Sequence, residues 1–367
     1  MEGDLIKINK WLLPLSWLYG LGVKLRNTLF DTGILKSKSY NIPIISVGNI
    51  TVGGTGKTPH TEYLIELLRK QYQVAVLSRG YKRHTLGFLL AKPDTPMKDI
   101  GDEPYQMKNK FPDVQIAVDQ NRRHGIETLC SPSETTVTPD VILLDDAYQH
   151  RYVKPGINIL LVDYHRMINE DVLLPAGRLR EPLKGKDRAN IVIVTKCPYD
   201  IKPMGYRVIC KMLKLYPFQE LFFTTLHYDQ LHCPYTGVKR SLRSIAPDEQ
   251  ILLLTGIASP EQMRIDLARY TQNITPLTFG DHHYYTTEDI RTIARAFKKL
   301  PEKKIIITTE KDYSRLSAAK GLDDEIKKNL FVLPIRIEFM QNQGVQFNER
   351  IISYVHKHHR NRKLVKK

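Results

Sequence analysis

The sequence predicts an α/β protein with a doubly wound, mostly parallel sheet that carries a P-loop, followed by a second, smaller α/β domain. Three observations lead to this fold class. Short apolar runs alternate with helical patterns, a glycine-rich turn separates the first run from the first helix, and the alternation resumes near residue 250. Nearly continuous hydrophobicity is typical of strands that are buried on both faces.

The elements follow in order along the chain. In the first domain we predict helices at Thr58–Arg69 and Arg122–Leu129 and strands at Ile42–Val47, Gln73–Ser78, Val114–Val118, Val141–Asp145, Ile157–Val162, Asn190–Thr195 and Arg207–Cys210. In the second domain we predict helices at Pro260–Tyr270 and Thr286–Leu300 and strands at Ile251–Thr255, Lys304–Thr309 and Leu330–Pro334. Residues 219–237 alternate in part around a Pro-Tyr-Thr-Gly turn signal, which predicts a β-hairpin or two extended connectors.

These patterns give the expected domain organisation. The predicted segments are an N-terminal helix (1–35), the P-loop domain (36–216), a β-hairpin linker (217–245), the second α/β domain (246–355) and a basic tail (356–367). We expect the tail to be solvated and frayed.

Composition limits the classes of protein. The 367 residues are 42% hydrophobic and 26% charged, which excludes collagen and wholesale disorder. Lysine and arginine (55) outnumber aspartate and glutamate (39), and the net charge of +16 predicts an anionic partner. The basic residues are dispersed without interleaved aromatics, so we expect no nucleic acid. Four scattered cysteines without a CxxC pair favour a reducing cytoplasm over a disulfide framework or a zinc site.

The N-terminal segment has a membrane-like composition. Trp11–Val23 is an uncharged run of thirteen residues that contains both tryptophans and lies between flanking basic residues. A membrane span needs about 20 apolar residues, so the run is too short. Aromatic rings favour the headgroup level and lysines favour anionic lipid, so we expect an interfacial helix, hydrophobic or amphipathic. The alternative is a helix packed on the protein's own core.

The glycine-rich turn predicts a phosphate-binding loop. Gly53, Gly54, Thr55 and Gly56 precede Lys57-Thr58, after a strand and at the start of a helix. Such a turn directs successive N–H groups at phosphate oxygens, and the helix N-terminus adds the positive end of its dipole. Lys57 would reach the β- and γ-phosphates and the Thr58 hydroxyl would bind Mg²⁺. Thr51 stands where the strict motif has glycine.

A P-loop requires an acidic partner on a neighbouring strand. Val141–Leu144 is followed by Asp145 and Asp146, at the end of a strand where ligands bind in open α/β sheets. We expect one of these carboxylates to reach Mg²⁺. The P-loop fixes nucleotide binding and leaves the acceptor open. A GTP switch is disfavoured, because Thr195-Lys196-Cys197-Pro198 lacks the aspartate that guanine recognition needs.

Several polar clusters complete the pattern, and together they resemble one known family. They are GNITVGGTGKTP (48–59), SRGYKR (78–83), GDEP (101–104), LDDAYQHR (144–151), LPAGRLREP (174–182), FGDHHYYT (279–286) and TTEKD (308–312). In this order they are similar to the tetraacyldisaccharide 4′-kinases, and the resemblance extends from about residue 10 to 350.

The resemblance implies an activity and a location. Members transfer the γ-phosphate of ATP, with Mg²⁺, to the 4′-hydroxyl of a lipid disaccharide 1-phosphate in lipid A biosynthesis. They have two α/β/α domains joined by a β linker and work at the cytoplasmic face of the Gram-negative inner membrane, as peripheral or monotopic proteins. No obligate protein partner is implied. The alternative is a membrane-associated P-loop NTPase that acts as a switch or chaperone.

The resemblance also implies residue roles. The family's catalytic aspartate matches Asp102, and its histidine partner from the second domain matches His282 or the adjacent His283, of which we assign His282. Closure of the domains would then assemble the site. Glu103 is expected to aid the metal. The substrate-binding residues implied are Arg79, Tyr81, Arg180 and Glu181.

Overall fold

The computed structural model describes residues 8–131, 137–257, 260–281, 283–319 and 321–365, with side chains as far as 360. Contacts divide the chain into two compact units. Unit 1 consists of Met1–Thr95, Met107–Leu226 and Ile337–Lys367, and unit 2 consists of Pro96–Gln106 and His227–Arg336. Residues 96–106, predicted to belong to the P-loop domain, group with unit 2 by their contacts. Residues 337–355, predicted to belong to the second domain, group with unit 1.

The strands, in chain order, are β1 (Ile44–Gly48), β2 (Val74–Ser78), β3 (Leu89–Leu90), β4 (Gln115–Val118), β5 (Val141–Asp145), β6 (Ile157–Asp163), β7 (Ile191–Thr195), β8 (Glu220–Tyr228), β9 (Leu231–His232), β10 (Lys239–Arg240), β11 (Gln250–Thr255), β12 (Ile274–Thr278), β13 (Lys304–Thr309), β14 (Leu330–Leu333) and β15 (Ile335–Phe339).

The α-helices are α1 (Leu13–Asp31), α2 (Lys57–Leu68), α3 (Met97–Ile100), α4 (Asp102–Lys110), α5 (Arg122–Cys130), α6 (Pro203–Leu213), α7 (Glu261–Leu267), α8 (Thr287–Lys298), α9 (Glu310–Leu316), α10 (Asp324–Asn329) and α11 (Gly344–Val365).

The sheet of unit 1 has β1 near its centre. Counted over the described residues it has nine strands, in the order β15-β8-β7-β6-β1-β5-β2-β4-β3. Strands β8 to β4 of this order pair in parallel, and β3 pairs antiparallel with β4. The carboxyl ends of β1, β2, β5 and β7 therefore share one edge, which is where the P-loop and the paired aspartates emerge.

Unit 2 has its own smaller sheet. Its strand order, again for the part of the chain that is described, is β10-β9-β14-β13-β11-β12, with β11–β14 parallel and the β9–β10 hairpin antiparallel. Leu252 and Leu254 of β11 pack on one face in a cluster with α8, whereas Ile251 and Leu253 pack on the other with α7. Burial on both faces explains the continuous hydrophobicity of these strands.

Two sequence-based predictions were wrong. Arg207–Cys210, predicted as a strand, lies within α6, where Pro203 occupies the first turn and the buried residues Ile209 and Leu213 are spaced by four. The basic tail was expected to be frayed, but α11 continues to Val365. This helix buries Phe347, Ile351 and Val355 at helical spacing.

The 219–237 segment, predicted as a β-hairpin or two extended connectors, contains β8 and β9, and the hairpin partner β10 lies just beyond it. β8 extends the large sheet as a parallel neighbour of β7, and β9 begins the smaller sheet, so the chain runs extended from one to the other. The hairpin is formed by β9 and β10, around a turn in which Gly237 has φ +72° and donates its N–H to the Cys233 carbonyl at 2.9 Å.

The N-terminal helix α1 has two dissimilar faces within unit 1. The Ser16 hydroxyl accepts a hydrogen bond from the Ala176 amide (2.9 Å), and the Tyr19 hydroxyl donates to the Arg180 carbonyl (2.7 Å). Away from these contacts, Trp11 is 93% exposed and Trp17 is 73% exposed, with further exposed apolar side chains at Leu15, Leu18, Leu21 and Leu25. Among the described residues, no helix has the length and apolar character that crossing a membrane requires.

Candidate nucleotide and phosphoryl-transfer site

The predicted phosphate-binding loop lies between β1, which ends at Gly48, and α2, which begins at Lys57. Two backbone positions in it require glycine, because Gly53 has φ +117° and Gly56 has φ +83°. Gly56 is the residue that caps α2, so the amides of the first turn open towards the loop. The local geometry is that of an anion-binding turn at a helix N-terminus.

Buried polar side chains hold this loop in place. Asn49 is fully buried, and its amide nitrogen donates to the Thr55 hydroxyl at 2.8 Å. From β7, the Thr195 hydroxyl donates to the Thr55 carbonyl at 3.0 Å. Neither Asn49 nor Thr195 was predicted from the sequence as a site residue. Asn49 could have been noticed as a polar residue at the end of an apolar strand, but nothing local marks Thr195 as its partner.

His60 fixes the first turn of α2 from inside the unit. Its Nδ1 lies 2.7 Å from the Gly56 carbonyl and its Nε2 lies 3.0 Å from the Thr224 hydroxyl. A carbonyl only accepts, so Nδ1 carries the proton and Nε2 accepts from Thr224. Burial lowers the pKa of His60 to about 4, so the ring is neutral at pH 7.

The paired aspartates follow β5 in different environments. Asp145 is buried and accepts hydrogen bonds from the hydroxyls of Thr61 and Ser78, both at 3.3 Å. Burial, and next the neighbouring Asp146 carboxylate, raise the pKa of Asp145. Asp146 is half-exposed and has φ +45°, a left-handed conformation that turns the chain sharply after the strand.

The charges of the loop converge on Asp146. Lys57 Nζ lies 3.7 Å from Asp146 Oδ2, and Arg180 Nη1 lies 3.3 Å from the same oxygen. Arg180 reaches this position because its segment pairs with the P-loop. Its amide donates to the Ile50 carbonyl, and the Val52 amide donates to the Arg178 carbonyl, both at 2.8 Å. The structure therefore brings together two motifs that are more than a hundred residues apart.

Glu181, the neighbour of Arg180 in the chain, is buried. It is 2% exposed, and its Oε1 accepts from Arg188 at 2.9 Å and from Gln149 at 3.2 Å. Gln149 Nε2 also donates to the Asn49 carbonyl at 2.6 Å. Through Gln149, the Glu181 side chain thus links the 174–182 loop to the start of the P-loop, in addition to the backbone bond from Arg180 to Ile50.

Further basic residues surround the aspartates. Arg122 is buried at the start of α5, and burial lowers its pKa to about 10 although the charges of Asp145 and Asp146 oppose this shift. Arg79 is exposed, and its charge also acts on Arg122. Tyr81 is 56% exposed in the turn after β2. Arg122 was not predicted from the sequence as a site residue, although it directly follows Asn121, which caps α5 after β4.

The second group of predicted catalytic residues lies in unit 2. Asp102 opens α4 with only 5% of its surface exposed, and its Oδ2 accepts from Arg315 Nε at 3.2 Å and Nη2 at 2.5 Å. The adjacent Glu103 accepts from Lys311 Nζ at 3.0 Å. The GDEP and TTEKD motifs are therefore one ion-paired cluster.

The two candidate histidines, His282 and His283, precede α8 in unit 2. His282 lies outside the described residues. His283 stacks on Phe279 at 4.9 Å between ring centroids, and its Nε2 lies 2.9 Å from Asp289 Oδ2. Asp289 also forms the capping box of α8 with Thr286, so His283 is attached to the start of that helix.

The donor set of unit 1 fits a magnesium ion bound together with phosphates. Mg²⁺ takes oxygen ligands and commonly uses one or two carboxylates, with waters and phosphate oxygens completing its shell. The Thr58 hydroxyl and the carboxylates of Asp145 and Asp146 are oxygen donors of these kinds. No group of three or more His, Cys, Asp or Glu side chains with metal-binding geometry occurs among the residues described.

A glycine-rich turn after a central parallel strand, with lysine at the start of the next helix and carboxylates on the adjacent strand, defines a P-loop nucleotide-binding α/β protein. The family model of LpxK, tetraacyldisaccharide-1-P 4′-kinase, matches residues 8–355. The chain belongs to this family.

Individual relatives agree with the family match. The chain is 61% identical to the tetraacyldisaccharide 4′-kinase of Phocaeicola vulgatus, over 98% of this chain and 99% of that protein. It is 55% identical to the enzyme of the same name from Bacteroides fragilis, over 99% of this chain and 98% of the relative. A crystal structure of LpxK from Aquifex aeolicus in complex with ATP is similar at 30% identity, with a TM-score of 0.71, over 94% of this chain and 98% of that chain.

Proposed function

We propose that this protein transfers the γ-phosphoryl group of ATP to the 4′-hydroxyl of a tetraacyldisaccharide 1-phosphate, in lipid A biosynthesis. The observation that carries the proposal is the family match over residues 8–355, which includes both the P-loop and the Asp102 cluster. A nucleotide-dependent switch or chaperone would need the P-loop alone and is not favoured. Each unit supplies a separate part of the required chemistry.

Unit 1 holds the nucleotide. The amides of Gly53–Gly56 bind phosphate oxygens, and Lys57 neutralises charge on the β- and γ-phosphates. Arg180 and Arg122 add positive charge around Asp145 and Asp146, where negative charge accumulates during transfer. Phosphoryl transfer depends mainly on positioning and charge neutralisation, and this loop is rigidly held by Asn49, His60 and Thr195.

Magnesium is part of the proposal. Thr58, Asp145 and Asp146 would hold the ion. When bound, the ion neutralises charge on the phosphate oxygens. Asp145 and Asp146 are adjacent carboxylates at the end of β5, and a bound cation would offset the repulsion between them.

Asp102 would accept the proton of the acceptor hydroxyl, a role in which a general base contributes about 10²–10⁴-fold to the rate. His282 would assist it. The ion pair with Arg315 offsets part of the cost of burying the Asp102 carboxylate.

Arg79, Tyr81 and Arg180 are proposed to recognise the phosphorylated disaccharide. Arg79 and Tyr81 are exposed, and Arg180 is half-exposed, so all three side chains present polar groups at the surface of unit 1. Glu181 was predicted to bind substrate directly. Its burial and its bonds to Arg188 and Gln149 instead support a role in holding Arg180 and the P-loop in register.

We propose that α1 binds the cytoplasmic face of the inner membrane as a peripheral anchor. Exposed apolar side chains occur at Leu15, Leu18, Leu21 and Leu25 of the helix and at Trp11 just before it. Exposed Lys10 precedes the helix and exposed Lys24 lies within it. Amphipathic helices with this composition lie in the bilayer interface. Each basic residue near an anionic surface adds about 1 kcal/mol of attraction.

The test is a transfer assay with purified protein, MgCl₂, γ-³²P-labelled ATP and a tetraacyldisaccharide 1-phosphate in detergent micelles. We expect the label to be transferred from ATP to the lipid acceptor. Hydrolysis of ATP while the lipid acquires no label would refute the proposed acceptor. The Lys57→Met variant serves as the control for a contaminating kinase, since its lipid labelling should fall to background.

A further inference from the structure

Arg315 occupies a closed polar pocket inside unit 2. Its side chain is about 1% exposed, and its contacts include Asp102, Gly256 and Asp312. The Nε and Nη2 atoms both donate to Asp102 Oδ2, while Nη1 donates to the Gly256 carbonyl at 3.0 Å and lies 3.4 Å from Asp312 Oδ1. The guanidinium is therefore held by the Gly256 carbonyl and Asp312 at one nitrogen, and by Asp102 at the other two.

The residues around Nη1 of Arg315 are themselves held in place by short contacts. Thr309 caps α9, since its hydroxyl accepts from the Asp312 amide at 3.0 Å and donates to Asp312 Oδ2 at 2.8 Å. Gly256 is close enough to Asp312 that an added Cβ would lie 3.0 Å from Oδ1. The end of β11 thus approaches the start of α9 in a way that a side chain at position 256 would obstruct.

Stability alone does not explain this arrangement. A buried ion pair gains little net stability, because the cost of desolvating both charges offsets their attraction. An arginine fork instead provides rigid, directional donors that hold a carboxylate in one orientation. Lys311 donates to Glu103 at 3.0 Å and lies 4.0 Å from Asp102 Oδ2, so Arg315 makes the shorter contacts with Asp102.

We propose that Arg315 is a positioning residue for phosphoryl transfer, acting through Asp102 by fixing the orientation of its carboxylate. The inference rests on the proposed function, in which Asp102 accepts the proton of the acceptor hydroxyl. Asp312 and the Gly256 carbonyl serve as the anchor that keeps the Arg315 guanidinium in place. No role of this kind could be assigned from the TTEKD motif, which ends three residues before Arg315.

The test compares Arg315→Lys and Arg315→Ala with the wild type in the labelled-lipid assay, at varied concentrations of ATP and lipid. Lysine keeps the charge and removes the two-atom fork. We expect kcat to fall about 10-fold or more for the lysine variant and about 100-fold or more for the alanine variant, within the range of general-base effects. The KM for ATP should stay within about threefold, because unit 1 holds the nucleotide.

Arg240→Ala is the matched control. Arg240 also belongs to unit 2 and forms a two-atom ion pair with Glu249, with both contacts at 2.8 Å, but it does not contact Asp102. Its loss should lower thermal stability and leave kcat unchanged. If Arg240→Ala reduced kcat as much as Arg315→Lys, the effect would reflect general destabilisation of unit 2 and the inference would be wrong.

A double-mutant cycle with Asp102→Asn tests whether the two residues act as one group. If Arg315 acts through Asp102, Asp102→Asn/Arg315→Met should be within about threefold of Asp102→Asn alone, because coupled residues are not additive. Because this double variant removes both charges, it leaves no unpaired buried charge. It therefore remains a test of the inference if Arg315→Ala fails to fold. Multiplicative losses, or full kcat in Arg315→Lys, would overturn the inference. A wild type that labels no lipid would instead refute the proposed function.

Discussion

In unit 1 the ammonium of Lys57 lies 3.7 Å from Oδ2 of Asp146, the carboxylate that also meets Arg180 at 3.3 Å. The P-loop lysine is thus held at the start of α2 by a residue at the end of β5. Because both partners retain some solvent exposure, the pair is weak enough to rearrange when a phosphate competes for the lysine.

The first prediction concerns this lysine. Lys57→Met removes a charge-assisted contact worth about 1.5–3 kcal/mol, so ATP affinity should fall about 10- to 100-fold. Isothermal titration calorimetry with ATP and Mg²⁺ measures the change. Lys70→Met, at an exposed position just after the same helix, is the control and should bind as the wild type does. Unchanged affinity in Lys57→Met would contradict the phosphate role.

The second prediction is a pH dependence of stability. The pKa of His60 is about 4 in the folded state, below its ordinary value of 6.5, so the unfolded chain binds more protons between these values. The free energy of unfolding should therefore fall as pH is lowered from about 6.5 to 4, by about 3 kcal/mol from this residue. Urea denaturation at several pH values measures it.

The His60→Gln variant isolates that contribution. Glutamine cannot titrate, so its stability should vary less with pH over the same range than that of the wild type. His84→Gln, at an exposed position, should keep the full wild-type dependence. Equal slopes for wild type and His60→Gln would mean that another group, such as His150, whose pKa is also lowered to about 4 by burial, controls this range.

Much of the nucleotide site could be predicted because its signals are local. The P-loop glycines, Lys57 and Thr58 are consecutive, and Asp145 and Asp146 end an apolar strand whose carboxyl edge must carry ligands in a parallel sheet. The sheet itself followed from apolar runs buried on both faces. Such features depend on neighbours in sequence or on the period of one element.

The contacts that could not be predicted join distant parts of the chain. Asp102 and Arg315 are 213 positions apart, and neither sequence context indicates the other. Arg207–Cys210 was mistaken for a strand because four residues are too few to distinguish the two periods. The start of α11 was overlooked although Phe347, Ile351 and Val355 recur every four residues, a signal that the charged tail obscured.

The third prediction concerns membrane binding by α1. The double variant Trp17→Glu/Leu21→Glu places two charges at exposed apolar positions of the helix, where neither side chain packs on the core. Sedimentation with anionic liposomes should fall at least 10-fold, because about 1.5–3 kcal/mol of apolar burial is lost for each side chain. Val345→Glu, at another exposed apolar position, should sediment as the wild type does. Equal sedimentation of both variants would exclude this anchor.

The fourth prediction tests the packing of α11 on the sheet. The Tyr354 hydroxyl accepts from the Ile44 amide at 3.2 Å and donates to the Ile44 carbonyl at 3.3 Å. Tyr354→Phe removes both bonds. The Ile44 carbonyl keeps its bond from the Gly156 amide at 3.0 Å, whereas the Ile44 amide loses its side-chain acceptor, so the free energy of unfolding should fall by about 1–3 kcal/mol. Tyr216→Phe, whose ring is half-exposed, should change it by less than about 0.5 kcal/mol in the same urea titration.

The most direct test of the account is the position of the new phosphate on the lipid product. The product of a preparative reaction with ATP and tetraacyldisaccharide 1-phosphate should be examined by ¹H–³¹P correlation NMR. We expect a second phosphorus signal coupled to the proton at the 4′ carbon, present with the wild type and missing with Asp102→Asn. A phosphate attached elsewhere, or ATP consumed while the lipid stays unchanged, would contradict the proposed 4′-kinase activity.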